Sequence, residues 1–236
     1  MTRKTEGLVL RTIKYQENHL ITTIYTEAYG LQSFIIKGYY SARSRRKHSY
    51  FQPLSIIEVV FFYKKTQSLQ KVSESKLVYL LRDAQSHPIK LSLGLTIVEM
   101  FYDTVKEEET NQALYHFLKS IIIQLDQSEQ QLIHIFLFFL VRFTKHLGFF
   151  PSDQSQGSQY VSFDLTTGIL TSANRKDAVA DLIRQFMMND LNSCQNIYVE
   201  RSTKRAFIKT LFAYYKRYVD GFKYPQTLRV FAEVFD

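Results

Sequence analysis

The densest cluster of cations in the chain is Ala42-Arg43-Ser44-Arg45-Arg46-Lys47-His48, which follows directly on Lys37-Gly38-Tyr39-Tyr40. Arginine and lysine beside tyrosine is a combination suited to single-stranded nucleic acid, because the cations neutralise phosphates and the rings offer faces to unstacked bases. The competing reading is a solvated basic loop, since short runs of this kind are common. The surrounding sequence favours the first. Residues 1–82 carry 14 lysines and arginines against 5 acids, and residues 83–200 carry 8 against 14. A second basic stretch, residues 201–229, has 8 against 1. Charge segregated by region in this way attracts polyanions.

Other chemistries lack the residues they need. No Walker-type phosphate loop, dinucleotide fingerprint or Gly-x-Ser-x-Gly elbow occurs, and Leu93-Gly94-Leu95 reads as a glycine inside a helix. Glu107-Glu108-Glu109 cannot converge on one ion, because three successive helical residues point in different directions. His116, His134 and His146 fall on different helices or on apolar stripes and read as packed or capping residues. The single cysteine, Cys194, has no evident partner to activate it. The chain is therefore expected to act by binding and not as an enzyme, without metal or cofactor.

The elements that position the cations come next. From Thr5 to Glu74 apolar residues alternate in the manner of strands, predicting strands within 5–15, 19–26, 31–37, 54–63 and 67–74, with a long polar loop between the third and fourth. The fourth, Leu54 to Tyr63, is apolar on both faces apart from Glu58 and is expected to be covered on both sides. Five short strands in this space fit an OB-fold barrel. After residue 80 the period becomes helical. Helices are predicted over 88–106, over 113–125 with Thr110 as N-cap, from a Ser128 cap to Gly148, and over 178–188, 203–219 and 226–235. The fold class is thus α+β: an amino-terminal five-stranded OB-fold barrel (1–80), then a helical domain (81–236) with a small hairpin inserted at about 150–173. In the last basic stretch Arg201, Lys204, Arg205, Lys209 and Lys216 share a helix with the core stripe Phe207, Leu211, Phe212 and Tyr215, so an ordinary amphipathic helix explains much of it. The amino terminus lacks the apolar run of a signal peptide, and the most apolar stretch, Leu132 to Val141, is about half the roughly 20 residues that span a bilayer. No membrane association is expected, and the lone cysteine suits a reduced, cytoplasmic setting.

Several spaced elements carry a family resemblance. Glu6-Gly7-Leu8-Val9-Leu10-Arg11-Thr12, Tyr15, Glu17, Leu20 to Thr26, Gly30, Ile36-Lys37-Gly38, Ser44-Arg45 and Phe51-Gln52-Pro53-Leu54 follow one another in order. Leu147-Gly148-Phe149-Phe150-Pro151, Phe163-Asp164, Gly168, Arg205, Tyr214-Tyr215 and Leu228 to Phe235 extend the series over nearly the whole chain. The sequence resembles the RecO family of bacterial recombination mediators. That resemblance implies an OB barrel followed by helices, and binding of single- and double-stranded DNA. It also implies strand annealing, and cooperation with RecR to load RecA onto strands coated by single-strand-binding protein, in the bacterial cytoplasm at the nucleoid. Many members carry a four-cysteine zinc module after the Leu-Gly-Phe-x-Pro segment; this chain has no cysteine between Pro151 and Ser172, so zinc is not expected.

The expected DNA-binding residues are Arg11, Lys37, Arg43, Arg45 and Arg46, to which the resemblance carries the family's basic surface, together with Lys14, Tyr39, Tyr40 and Lys47 from the basic, tyrosine-bearing sequence itself. Arg142, Lys145 and Arg205, cations beside apolar helix faces, are the expected contacts for the acidic carboxy-terminal tail of single-strand-binding protein. An RNA-binding OB protein and a protein-interaction scaffold share the barrel and charge, and remain as alternatives.

Overall fold

The architecture was analysed on a computed structural model, which describes residues 1–40, 50–105 and 109–228. Five strands, β1 (Thr2–Tyr15), β2 (His19–Thr26), β3 (Gly30–Ile36), β4 (Ile56–Phe62) and β5 (Leu69–Tyr79), close into a barrel in the order β1-β2-β3-β5-β4. All pairs are antiparallel except β3 with β5, and β1 closes against β4. This is the OB-fold arrangement read from the alternating pattern. Alternate residues fill the interior: Val9, Leu20, Ile24, Phe34, Ile57, Val59 and Phe61 form its core.

The outside of the barrel is covered only in part. A shift of register between Val9 and Arg11 lets β1 keep Leu8, Val9 and Leu10 all buried, then turn Arg11, Ile13, Lys14 and Tyr15 out. Tyr25 leaves the barrel wall to meet the ring of Phe101 edge-on at 4.7 Å and to lie beside Tyr115 at 6.4 Å. Those rings belong to α1 (Pro88–Thr104) and α2 (Gln112–Gln127). On β4 the expected double covering holds at Ile56 but not at Phe62, which is 47% exposed. The outer row of that strand instead carries a Glu58 carboxylate paired with Lys4 at 2.9 Å.

Close packing of α1 explains the helix-interior glycine. A β-carbon on Gly94 would stand 2.7 Å from Leu54 Cδ1, so glycine lets the helix settle on that buried side chain without displacing its methyl groups. His87 caps α1 by accepting from the Lys90 amide, with Pro88 at the first turn. The cap of α2 is not Thr110, whose hydroxyl donates to the Ala28 carbonyl. Asn111 caps it instead, its Oδ1 accepting from Leu114 N at 2.9 Å. Adjacent Thr and Asn are both competent caps, and Thr110 is engaged by the β2–β3 turn.

Two buried polar groups tie the helices to the strands. Asp126 accepts from the amides of Arg82, Asp83 and Ala84 at 2.8–3.0 Å and from the Tyr79 hydroxyl at 3.1 Å. Lys90, 3% exposed, donates to the Asp126 carbonyl at 2.7 Å. Glu6 on β1 likewise receives Tyr115 Oη and Lys119 Nζ from α2.

By its internal contacts the chain forms two compact units, Met1–Gln127 together with the segment from Pro225, and Ser128–Tyr224. The first two helices therefore pack with the barrel. The returning segment is held there by Glu99, which accepts from Gln226 N at 2.8 Å, Thr227 N at 3.1 Å and Thr227 Oγ1 at 2.6 Å. The predicted helix over 226–235 lies mostly outside the described residues.

The second unit contains α3 (Leu132–His146), α4 (Ala178–Met188), a short α5 (Leu191–Gln195) and α6 (Arg201–Tyr218). It also contains β6 (Ser152–Asp153), β7 (Val161–Asp164) and β8 (Ile169–Ser172), a three-stranded sheet in the order β6-β8-β7. The expected hairpin is present as β7 and β8. The short β6, pairing parallel with β8, was not foreseen. Ser128 does not cap α3: that position falls to Gln131, in the left-handed region at φ 55° and without a side-chain cap. The helix ends at His146, before Gly148. The cysteine-free segment that follows is held by hydroxyls. Asp153 accepts from the backbone and side chain of Ser155, and Ser172 Oγ donates to the Ser155 carbonyl at 3.0 Å.

Gly168 closes the β7–β8 turn at φ +69°, where a β-carbon would overlap the Tyr214 hydroxyl, which donates to the Phe149 carbonyl at 2.7 Å. Gly168→Ala is expected to lose about 2–4 kcal/mol, from left-handed strain plus overpacking. Gly157→Ala, at φ +78° with no atom near its β-carbon, should lose the backbone part alone. Urea unfolding midpoints of the two variants check this.

Candidate nucleic-acid interface

The predicted DNA contacts divide sharply on the barrel. Arg11 and Lys14 are exposed on the outward half of β1, and Lys37 is exposed just beyond β3. Lys14 pairs in register with Leu20, and Leu20 with Ile36, which sets Lys14 and Lys37 at the same end of the sheet. Tyr40 is 40% exposed there, with Lys14 Nζ 5.3 Å from its ring centroid, a cation–π contact. Tyr39 does not belong with them. Its ring is 7% exposed and forms part of the barrel core against Phe51, and burial pushes its hydroxyl pKa up. As a core residue it cannot stack on a base. Arg43, Arg45, Arg46 and Lys47 lie outside the described residues.

Further along β1, Arg11 pairs with Thr23 of β2, and its guanidinium stands 6.0 Å from the ring centroid of Tyr102 on α1. That ring opens onto a cleft of about 750 Å³ between the β2–β3 surface (Thr23, Gln32, Ser33), the β4–β5 loop (Tyr63, Lys65, Gln67) and α1. The loop is shaped by Gln70, 2% exposed. Its Oε1 accepts from Lys64 N at 3.0 Å, and its Nε2 donates to the carbonyls of Lys64 at 2.9 Å and Gln67 at 2.6 Å. An otherwise irregular loop is thereby held with Lys64 and Lys65 exposed. Tyr29 lies against Tyr63 at 5.2 Å and edge-on to Phe61 at 5.4 Å, bracing the aromatic wall on the core. The β2–β3 surface and the β4–β5 loop are where OB barrels hold oligonucleotides. Sequence reasoning missed the cleft residues; Lys65, beside Lys64 between two strand patterns, is the one local charge signal that could have pointed there.

The second unit offers less. Arg142 donates to the Asn189 carbonyl at 2.7 Å and lies over Phe138 and Phe150 at 5.3 and 5.9 Å, so its guanidinium is already engaged in packing. Lys145 is exposed three residues on along α3, and Arg205 is exposed on α6. A cleft of about 590 Å³ in this unit is lined by Lys176, Asp181, Arg184, Tyr198, Glu200 and neighbours, and by none of those three cations. On α6 the expected core stripe of Phe207, Leu211, Phe212 and Tyr215 is buried, and Arg201, Lys209 and Lys216 are exposed.

Cys194 and His134 are packed away, whereas His116, expected to pack or cap, is exposed and 3.3 Å from the Glu27 carboxylate. Burial pushes the Cys194 thiol up to about 11. His134 is buried with Nε2 2.9 Å from the Ile197 carbonyl, and burial lowers its pKa. Among the described residues no group of three or more His, Cys, Asp or Glu comes together as a metal site, and no helix is long and apolar enough to cross a membrane.

Barrel topology and strand order define the first unit as an OB-fold barrel, with exposed cations and a cleft on its β2–β3 side. Family comparison is more specific. The model of the recombination protein O amino-terminal domain matches residues 1–81, and that of its carboxy-terminal domain matches residues 85–227. The chain belongs to the recombination protein O (RecO) family of DNA repair proteins. It is 29% identical to the DNA repair protein RecO of Christiangramia forsetii, covering 98% of both chains. It is also 29% identical to that of Flavobacterium psychrophilum, and 28% identical to that of Phocaeicola vulgatus, each over the full length of both chains.

Proposed function

We propose that the chain is a recombination mediator that binds single- and double-stranded DNA and anneals complementary strands. It helps load the recombinase RecA, together with RecR, onto strands coated by single-strand-binding protein, whose acidic tail it engages, and it does so by binding without bond-making chemistry. The setting is the bacterial cytoplasm at the nucleoid. The observation that carries the reading is the group of exposed cations Arg11, Lys14, Lys37, Lys64 and Lys65 around one barrel, beside a family assignment to DNA repair. Two strands repel through their phosphates. A surface that neutralises both lowers that barrier and leaves base edges free to pair, because phosphate contacts position without reading sequence.

The test is annealing of complementary oligonucleotides coated with cognate single-strand-binding protein, with and without its acidic tail. Annealing should be accelerated and should depend on the tail. Affinity for bare single strands should fall with log salt at about −0.7 per phosphate contacted. A salt-independent affinity, or annealing no faster than without protein, would overturn the reading.

A further inference from the structure

We infer that the cleft of about 590 Å³ in the second unit takes an extended peptide of a partner protein, which adds as a strand to the segment Ile197–Glu200. The inference is independent of the DNA-binding surface on the barrel. The segment joins α5 to α6 and lines the cleft along its whole length. Its exposure alternates as in a strand: Ile197 is half-buried, Tyr198 89% exposed, Val199 buried and Glu200 exposed. Glu200 itself is extended, at φ −61° and ψ 150°. Ile197 is engaged through both backbone groups. Its N–H donates to the Cys194 carbonyl at 3.2 Å, and its own carbonyl lies 2.9 Å from His134 Nε2. In an extended chain the N–H and C=O of one residue share an edge, and successive residues face opposite edges. Ile197 is therefore tied to α5 and α3, and Tyr198 and Glu200 present the other edge. The Glu200 carbonyl accepts from the Lys204 amide as α6 begins. Among the described residues, no hydrogen bond engages the N–H or C=O of Tyr198 or the N–H of Glu200. Such a row of open donors and acceptor is a template for a second extended chain.

The side chains of the cleft select the kind of peptide. Leu182, Ile197 and Val199 supply apolar surface, and the ring of Tyr198 stands above it in solvent. Of the four charged residues in the walls, Asp181 and Arg184 pair with each other at 3.5 Å, and Arg184 is held further by the Ser158 carbonyl at 2.9 Å. Lys176 and Glu200, one of each sign, are exposed. A nucleic-acid backbone or a uniformly acidic tail would meet Glu200 as well as Lys176 and gain little. A peptide with an apolar residue and charges of both signs complements the whole cleft.

The experiment selects random displayed peptides of about ten residues, the upper length of an ordinary strand, on the full chain. Enriched peptides should carry both signs around an apolar residue and should lose affinity in Tyr198→Ala and in Lys176→Glu, both changes at exposed positions. N-methylation of alternate peptide residues, in one of the two registers, should weaken binding at least about tenfold through the loss of two main-chain hydrogen bonds. Hydrogen exchange at the Tyr198 and Glu200 amides should slow only in the complex. No enrichment, or enriched peptides that bind both variants as well as the natural protein, overturns the site. Peptides that bind there without an N-methyl effect and without amide protection overturn strand addition. Preference for uniformly acidic peptides, or protection of the same amides by a single-stranded oligonucleotide, gives the cleft to a different ligand and overturns the inference. DNA affinity should be unchanged in both variants, so failure here leaves the mediator reading standing.

Discussion

Replacement of Arg43, Arg45 and Arg46 together by Glu should weaken binding to single strands by about a hundredfold at 0.1 M salt. Three phosphate contacts at a slope of about −0.7 each account for roughly two orders of magnitude between 0.1 M and 1 M salt. The substitution lowers the formal net charge from +8 to +2 and reverses the densest cationic run in the chain. The slope of log affinity against log salt should become shallower by about 2, and the loss should nearly vanish at 1 M salt. Fluorescence anisotropy across a salt series measures both. Equal weakening at every salt concentration would point to damaged folding; unchanged binding would favour a protein scaffold whose basic loop is incidental.

Asp126→Ala should be the most damaging single change in the barrel unit, costing about 3–5 kcal/mol. It strips the acceptor from three backbone amides and from the Tyr79 hydroxyl, all at one buried point. Against the 5–15 kcal/mol that holds an ordinary domain together, the melting temperature should fall by roughly 10 °C or more. Burial by itself pushes the Asp126 carboxyl up. The amides of Arg82, Ala84 and Asp83 and the Tyr79 hydroxyl outweigh it and hold the group below its ordinary 3.8. A carboxyl depressed in the folded state gives stability that is complete above its ordinary value and is lost as pH falls through the lowered one. The natural protein should therefore lose this contribution in acid below that range, whereas Asp126→Ala should show a flatter profile. Denaturant midpoints at neutral pH and near pH 3 distinguish the two.

The barrel was legible because a strand with one face inward must alternate, as the first three strands do, and because the fourth stands out as a β-branched and aromatic run. Helix α4 was read with its bounds intact because Asp177 caps it and its apolar stripe is clean. What escaped notice depended on closure in three dimensions. Tyr39 follows a glycine in a basic, polar stretch and reads as exposed; only the closing of the barrel carries its ring inside. Tyr29, Gln32, Tyr63 and Tyr102 are separated by up to about seventy residues, and no local period links them. Asn111 was missed because adjacent Thr and Asn have similar capping ability and Thr110 is drawn to the Ala28 carbonyl, whereas Gln131 makes no side-chain cap, so no capping residue marks the start of α3. The five-residue α5 is too short for periodicity to register.

The outward turn of Tyr25 toward Phe101 and Tyr115, with Leu54 under Gly94 and Asp126 over the chain leaving β5, has a consequence for modularity. The barrel wall is apolar on that side and acquires its solvent-facing surface only from α1 and α2. A segment ending after β5 would carry an open hydrophobic flank and take Tyr79 away from the Asp126 carboxylate, so it would behave as a sticky intermediate and not as an independent domain. The compact unit that keeps this barrel covered runs through Gln127 and takes in the segment from Pro225, so exchange of the barrel between relatives would have to move the two helices and that segment along with the five strands.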